Sequence, residues 1–214
     1  MSNKFVFDTA DMNSIFKLRD ALFMELYPIA KAHRPIIFLC IGTDRSTGDS
    51  LGPLVGYKLK FFSRKGIDIY GNLEQPVHAK NITIAISNIK STYENPYIIA
   101  IDASLGNIQN VGKIILENRP VNPGAALNKD LPSIGDLSIT GIVNMYGNLE
   151  FMILQNTRLN VVMQQAEVIS QGIYHCLVKL FGGKKYSDSD ISMENSLNST
   201  SDDLAKGWSY ILKK

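Results

Sequence analysis

Ile36-Ile37-Phe38-Leu39-Cys40-Ile41 runs directly into Gly42-Thr43-Asp44-Arg45-Ser46-Thr47-Gly48-Asp49-Ser50-Leu51-Gly52-Pro53. The unbroken apolar run predicts a strand buried on both faces, because a half-exposed strand would alternate apolar and polar residues. Pro35 favours extended backbone at Arg34 and so sets the start of the strand. The polar, glycine-containing stretch after it is a loop, and Leu51–Arg64 reads as a helix with Gly52 and Pro53 in its first turn.

The same alternation extends on both sides of this segment. From Met12 to about His33, apolar residues recur at helical spacing, with Asp11 placed to cap them. After the first loop and helix, Ile67–Tyr70 reads as a short strand and Asn81–Tyr93 as a helix. Tyr97–Ile101 is a second fully apolar strand, with Asp102 marking its end. Lys113–Glu117 follows as a strand, read as a hairpin partner of its predecessor across Gly106–Asn110. Arg119–Asp136 holds three prolines and two glycines and is expected to be loop. Ser138–Asn144 and Leu149–Leu154 fit either strand or helix. Thr157–Phe181 carries the longest helical pattern, closed by Gly182-Gly183. Buried strands alternating with helices imply a three-layer αβα sandwich around a mainly parallel, mixed sheet.

Composition agrees with one domain, residues 1–183, and a tail. The chain has 214 residues, 45% hydrophobic and 20% charged, which is ordinary for a globular protein. A formal charge of +2 is too small to indicate nucleic acid or anionic lipid as the main partner. No window approaches the roughly 18 apolar residues of a membrane span, and the N-terminus meets Asp8 before a signal-peptide core could build. Cys40 and Cys176 sit in apolar runs and read as buried, reduced thiols, which points to the cytoplasm. Residues 184–214 are rich in Ser, Asp and Asn and read as a solvated tail, with Leu204, Trp208, Tyr210 and Ile211 able to dock back.

Ligands of open α/β sheets bind beyond the carboxyl ends of the strands. The glycine loop invites a phosphate-binding reading, but the motif fits it poorly. A P-loop needs four residues between its glycines and then Lys followed by Ser or Thr. Here five residues separate Gly42 from Gly48, and Asp49 stands in the position of the lysine. Asp49 precedes a predicted helix, so it fits an N-cap carboxylate. It fits equally well as one half of a pair with Asp102, if the two strands are neighbours. Two close carboxylates do not both ionise cheaply, so one holds a proton while the other activates water, or both chelate a cation.

Three segments carry a family resemblance. Gly42–Gly56, Ile99-Ala-Ile-Asp-Ala-Ser-Leu-Gly106 and Leu131–Asn144 resemble the YyaC-type sporulation proteins of spore-forming bacteria. That family is similar in turn to the germination endopeptidase that degrades small acid-soluble spore proteins and to hydrogenase maturation proteases. The resemblance implies a three-layer αβα fold. It also implies functional aspartates at Asp49, within Asp49-Ser-Leu-Gly-Pro53, and at Asp102, within Ile101-Asp102-Ala103. Hydrogenase maturation proteases add a histidine and a nickel-binding step. Of the three histidines here, His33, His78 and His175, none occupies an obvious counterpart of that motif, so each reads as surface or packing.

Around the pair, Gly42, Arg45, Gly48 and Asp136 are candidate substrate-binding residues. Arg45 offers a planar fork of donors for a carboxylate or carbonyl, and Asp136 fits a third cleft carboxylate or a turn residue. Asp44 and Arg45 fit a local ion pair, and Asn122–Ala126 fits a rim over the cleft. Ser46, Thr47 and Ser50 lack an adjacent base and read as loop hydrogen-bonders. The expected function is a cytoplasmic, sporulation-associated hydrolase cleaving a peptide or protein with an aspartate pair. Neither metal nor cofactor is expected. Backbone donors of the Gly42–Gly52 loop and helix start are expected to hold the oxyanion. The alternative is a non-catalytic peptide- or protein-binding module of the same fold, and a third option is a small-molecule or metal binder. The sequence leaves the oligomeric state open.

Overall fold

The computed structural model describes residues 4–62, 64–122 and 133–182. Contacts divide the chain into Met1–Phe181 and Gly182–Lys214, and of the second unit only Gly182 lies among the described residues. The expectations for the tail therefore fall outside them, as do those for residues 123–126.

Among the described residues, six strands form one sheet in the order β1-β5-β6-β4-β2-β3. They are β1 (Lys4–Asp8), β2 (Ile36–Cys40), β3 (Ile67–Tyr70), β4 (Tyr97–Gly106), β5 (Lys113–Glu117) and β6 (Leu137–Met145). β2 pairs in parallel with both β3 and β4, and β4 in parallel with β6. β5 pairs antiparallel with both of its neighbours, β1 and β6. The helices are α1 (Ser14–Lys31), α2 (Leu51–Leu59), α3 (Ile82–Thr92), α4 (Glu150–Gln155) and α5 (Leu159–Phe181).

The period of two along β2 explains the layering. Ile36, Phe38 and Cys40 point into a core shared with Leu22 and Leu26 of α1, Leu51 and Val55 of α2, and Ile169 and Ile173 of α5. Ile37, Leu39 and Ile41 point the other way, onto Ile82 and Ile89 of α3. All five residues of β2 are buried, as a strand covered on both faces requires. The architecture is thus a three-layer αβα sandwich with a mixed sheet. The two cysteines are free and buried, and burial pushes both thiols up to about 12. No helix among the described residues is long and apolar enough to cross a membrane.

Four expectations need correction. β4 does not stop at Asp102 but continues to Gly106, because β6 extends beside it through Met145. β4 and β5 are not a hairpin, because β6 lies between them and pairs with both. The second helix begins with a 3₁₀ turn at Gly48–Ser50 and ends at Leu59, short of Arg64. Asp11 does not cap α1: the N-cap is Asn13, and Asp11 accepts the Asn13 backbone N–H at 2.9 Å in the preceding turn.

Candidate active site

Chain order makes the site. After β2 the chain crosses through α2 to β3, on one side of β2. After β3 it returns through α3 to β4, on the other side. The junction of β2 and β4 is therefore the switch point of the sheet, where a crevice opens beyond the strand ends. A cleft of about 980 Å³ lies there, with Gly42, Asp49 and Asp102 in its wall.

Gly42 turns the chain out of the sheet. Its φ of +141° disfavours a side chain, and a Cβ there would stand 2.0 Å from the Asp49 carbonyl oxygen. The loop after it folds on itself. The Gly42 N–H donates to Val77 O at 2.7 Å, Thr43 N–H to Asp49 O at 3.1 Å, and Arg45 N–H to Thr43 Oγ1 at 3.3 Å. These three donors are engaged within the fold, which leaves any oxyanion role to other amides of the Gly42–Gly52 loop and helix start. Gly52 completes the packing: a Cβ on it would stand 2.1 Å from Ile41 O, so the start of α2 lies directly against the end of β2.

Asp49 lies in the 3₁₀ turn ahead of α2. The N-cap of α2 is Ser50, and among the described residues no hydrogen bond reaches the Asp49 carboxyl. It is therefore not engaged in capping. It is half-buried in the cleft wall, and desolvation raises its pKa.

Asp102 pairs with Thr140 of β6, one residue beyond the last β2–β4 pair, Cys40 with Ile101. Strand alternation puts it on the same face as Ile98 and Ala100. Its Oδ1 accepts the Ala103 N–H at 2.8 Å. Desolvation first, and the charge of Asp49 second, push its pKa up to about 8, against the lowering effect of the Ala103 bond. At neutral pH Asp102 thus holds a proton that an ordinary aspartate would have lost.

The other candidates separate. Arg45 is exposed at the cleft and forms no ion pair with Asp44. Gly48 is buried under α4, where a Cβ would stand 2.8 Å from Leu154 Cδ2, so it serves close packing. Asp136 is corrected outright. It precedes β6 and so lies at the amino end of the strands, where its Oδ2 accepts the Ile98 N–H at 2.9 Å and its Oδ1 stands 3.5 Å from Arg34. Asp102 lies four positions further along β4 from Ile98, about 13 Å at roughly 3.3 Å per residue, beyond reach of a shared substrate atom.

His78 is a cleft residue that sequence reasoning set aside as surface or packing. A bridge between Ile41 and Val77 brings it beside the end of β2. Its Nδ1 accepts the Lys80 N–H at 3.3 Å, so in the neutral ring the proton is on Nε2, which is left as a donor. Only the proline and polar residues around it hinted at a loop near a strand end. Among the described residues, no group of three His, Cys, Asp or Glu side chains is arranged to hold one metal ion.

Fold and cleft together define an α/β protein with two carboxyls at the switch point of its sheet. Residues 6–172 match the family described as "Protein of unknown function (DUF1256)", and the chain belongs to that family. It is 51% identical over 142 residues to the uncharacterized protein YyaC of Bacillus subtilis (strain 168), covering 66% of this chain and 69% of that protein. Among solved structures, it is similar to a NiFe hydrogenase maturation protease, HycI from Thermococcus kodakarensis KOD1. That likeness has a TM-score of 0.46 and 18% identity, over 68% of this chain and 92% of that one.

Proposed function

We propose that the protein is a peptidase that hydrolyses a peptide bond with Asp49 as base and Asp102 as acid, in the sporulation setting that its family resemblance implies. The observation that carries this reading is the pair itself: two carboxyls in one cleft, with the proton held on the more desolvated one. Environments that push two titratable groups apart assign acid and base roles. The aspartates also occupy the motif positions, Asp49-Ser-Leu-Gly-Pro53 and Ile101-Asp102-Ala103, that resemble those of the germination endopeptidase.

In the first step ionised Asp49 takes a proton from a water whose oxygen attacks the peptide carbonyl carbon. Asp102 gives its proton to the carbonyl oxygen, so the tetrahedral intermediate is neutral. In the second step the C–N bond breaks, Asp49 delivers its proton to the departing nitrogen, and Asp102 recovers one from a hydroxyl of the intermediate. Both carboxyls return to their starting states. His78 Nε2–H and the Arg45 guanidinium supply further donors to the polarised carbonyl, beside those amides of the Gly42–Gly52 loop that are not engaged within the fold.

The test is incubation of the full chain at about pH 6 with a library of end-blocked peptides, with new termini read by mass spectrometry. Cleavage that disappears in both Asp49→Asn and Asp102→Asn supports the reading. No cleavage, or cleavage unchanged by the substitutions, overturns it.

A further inference from the structure

The edge of β4 inside the cleft is the observation that goes furthest. β4 has ten residues and β2 only five. Their pairing ends at Cys40 and Ile101, after which Gly42 carries the chain away. Beyond that point β4 is bonded to β6 on one side, through Gly106 and Met145. On its other side no strand pairs with it among the described residues.

The register says which backbone groups face that side. Tyr97 N–H bonds Pro35 O and Ile101 O accepts the Ile41 N–H, so odd-numbered residues of β4 address β2. Ile98 O accepts from Asp136 and Gly106 O accepts from Tyr146, so even-numbered residues address β6. The N–H and C=O groups of Ala103 and Leu105 therefore point to the place that β2 gives up. Local side chains hold two of them there: Ala103 N–H donates to Asp102 Oδ1 at 2.8 Å and Leu105 O accepts from Ser104 Oγ at 3.1 Å, beside a register shift against β6 between Ser104 and Leu105. Ala103 and Leu105 line the cleft, and Asp102 lies next to them.

We propose that the substrate binds as an extended peptide, adding a short strand along the Ala103–Leu105 edge of β4 in line with β2. The chemistry after binding rests on the peptidase reading, but the docking mode stands on the strand register alone. An extended backbone is the partner whose alternating donors and acceptors match such an edge at strand spacing. Recognition through the main chain is tolerant of sequence, and it delivers a peptide bond beside Asp102 whatever the side chains are. It also couples binding to the acid. A substrate carbonyl that takes the Ala103 N–H removes the bond that Asp102 Oδ1 now accepts. That bond lowers the pKa of Asp102, so its loss tightens the hold on the proton to be donated.

The experiment is residue-resolved hydrogen exchange on full-length Asp49→Asn, which retains the edge but not the base. The probe is a mixture of random-sequence dodecapeptides with acetylated and amidated ends. A second mixture carries N-methyl groups on alternate amides, which blocks strand pairing. The expected result is exchange slowed roughly tenfold or more at Ala103 and Leu105 by the first mixture and not by the second. No slowing at these amides, or equal slowing by both mixtures, overturns the proposal. Cleavage of the unmethylated mixture by the unsubstituted protein is scored separately. Protection without cleavage upholds the docking mode and defeats the peptidase reading. Cleavage without protection does the reverse, and the absence of both defeats both.

Discussion

The charge of Asp49 raises the pKa of Asp102, although a helix, a strand and a second helix separate the two residues in the chain. The coupling exists because β2 and β4 are neighbours in the sheet while their connections leave in opposite directions. The turn after β2 delivers Asp49 to the cleft, and β4, just beyond its last pair with β2, delivers Asp102. Among the described residues neither side chain has a cation beside it, so desolvation is not relieved and the pair favours holding a proton.

Replacing either carboxyl with its amide tests the chemical roles. Asp49→Asn removes the base and Asp102→Asn removes the acid, with little change in shape. Each is expected to lower kcat/KM by roughly 10²–10⁴-fold, the usual contribution of a positioned acid or base. Steady-state cleavage of a peptide identified from the library measures it. The double variant should lose little more than either single one, because the groups act as a unit.

The pH profile derives from the two shifts. Below the raised pKa of Asp49 the base is protonated and idle, and above about 8 Asp102 has lost the proton it must donate. A bell-shaped kcat/KM with its alkaline limb near pH 8 is expected, the limbs belonging to the pair and not to either residue alone. A profile that keeps rising through pH 9 would remove Asp102 as the acid.

Stability should carry the mark of the same proton. The folded pKa of Asp102 is about 8 against an ordinary 3.8, so between these values the folded chain binds a proton that the unfolded chain does not. Stability from this group is full below the lower value and is lost as pH rises through the upper one. Asp102→Asn removes the ionisable group, so it should unfold at a higher temperature than the unsubstituted protein at pH 8.5. The gap should close towards pH 4. Each kcal/mol corresponds to about 2–4 °C for a domain of this size, which thermal scans resolve.

Gly42 and Asp136 separate fold from chemistry. Gly42→Ala places a side chain at a φ of +141° and against Asp49 O, so it should cost about 1–3 kcal/mol and displace the Asp49 turn. Asp136→Ala leaves the Ile98 N–H without its acceptor and should cost about 1–3 kcal/mol as well. The second variant should keep full activity below its melting temperature, because its carboxyl lies at the far end of the strands. Paired melting curves and activity assays distinguish the two.

The parts of this protein that were legible in its sequence are those decided locally. The continuous apolar runs at Ile36–Ile41 and Tyr97–Ile101 identified the two central strands, and the polar residues after them put both aspartates beyond those runs, although β4 itself continues past Asp102 to Gly106. Long-range pairing was not legible. β6 contains Gly141, which weakens a strand pattern, and its insertion between β4 and β5 rests on long-range pairing, with Gly141 packed closely under Leu51 and Gln165. β1 was missed because it is an edge strand with a single buried residue, Phe7. Asp136 was misplaced because it precedes a strand, and the amino end of a parallel strand faces away from the crevice. His78 was overlooked because a lone bridge from Val77 to Ile41, and no motif, brings it to the cleft.

The most direct test of the central claim is a carboxyl titration of Asp102 by carbon NMR, in the unsubstituted chain and in Asp49→Asn. The predicted midpoint is near 8; it falls when the Asp49 charge is removed but stays above the ordinary 3.8, because burial remains. A midpoint in the ordinary carboxylate range, unchanged by Asp49→Asn, would contradict the shared-proton pair and the hydrolysis built on it.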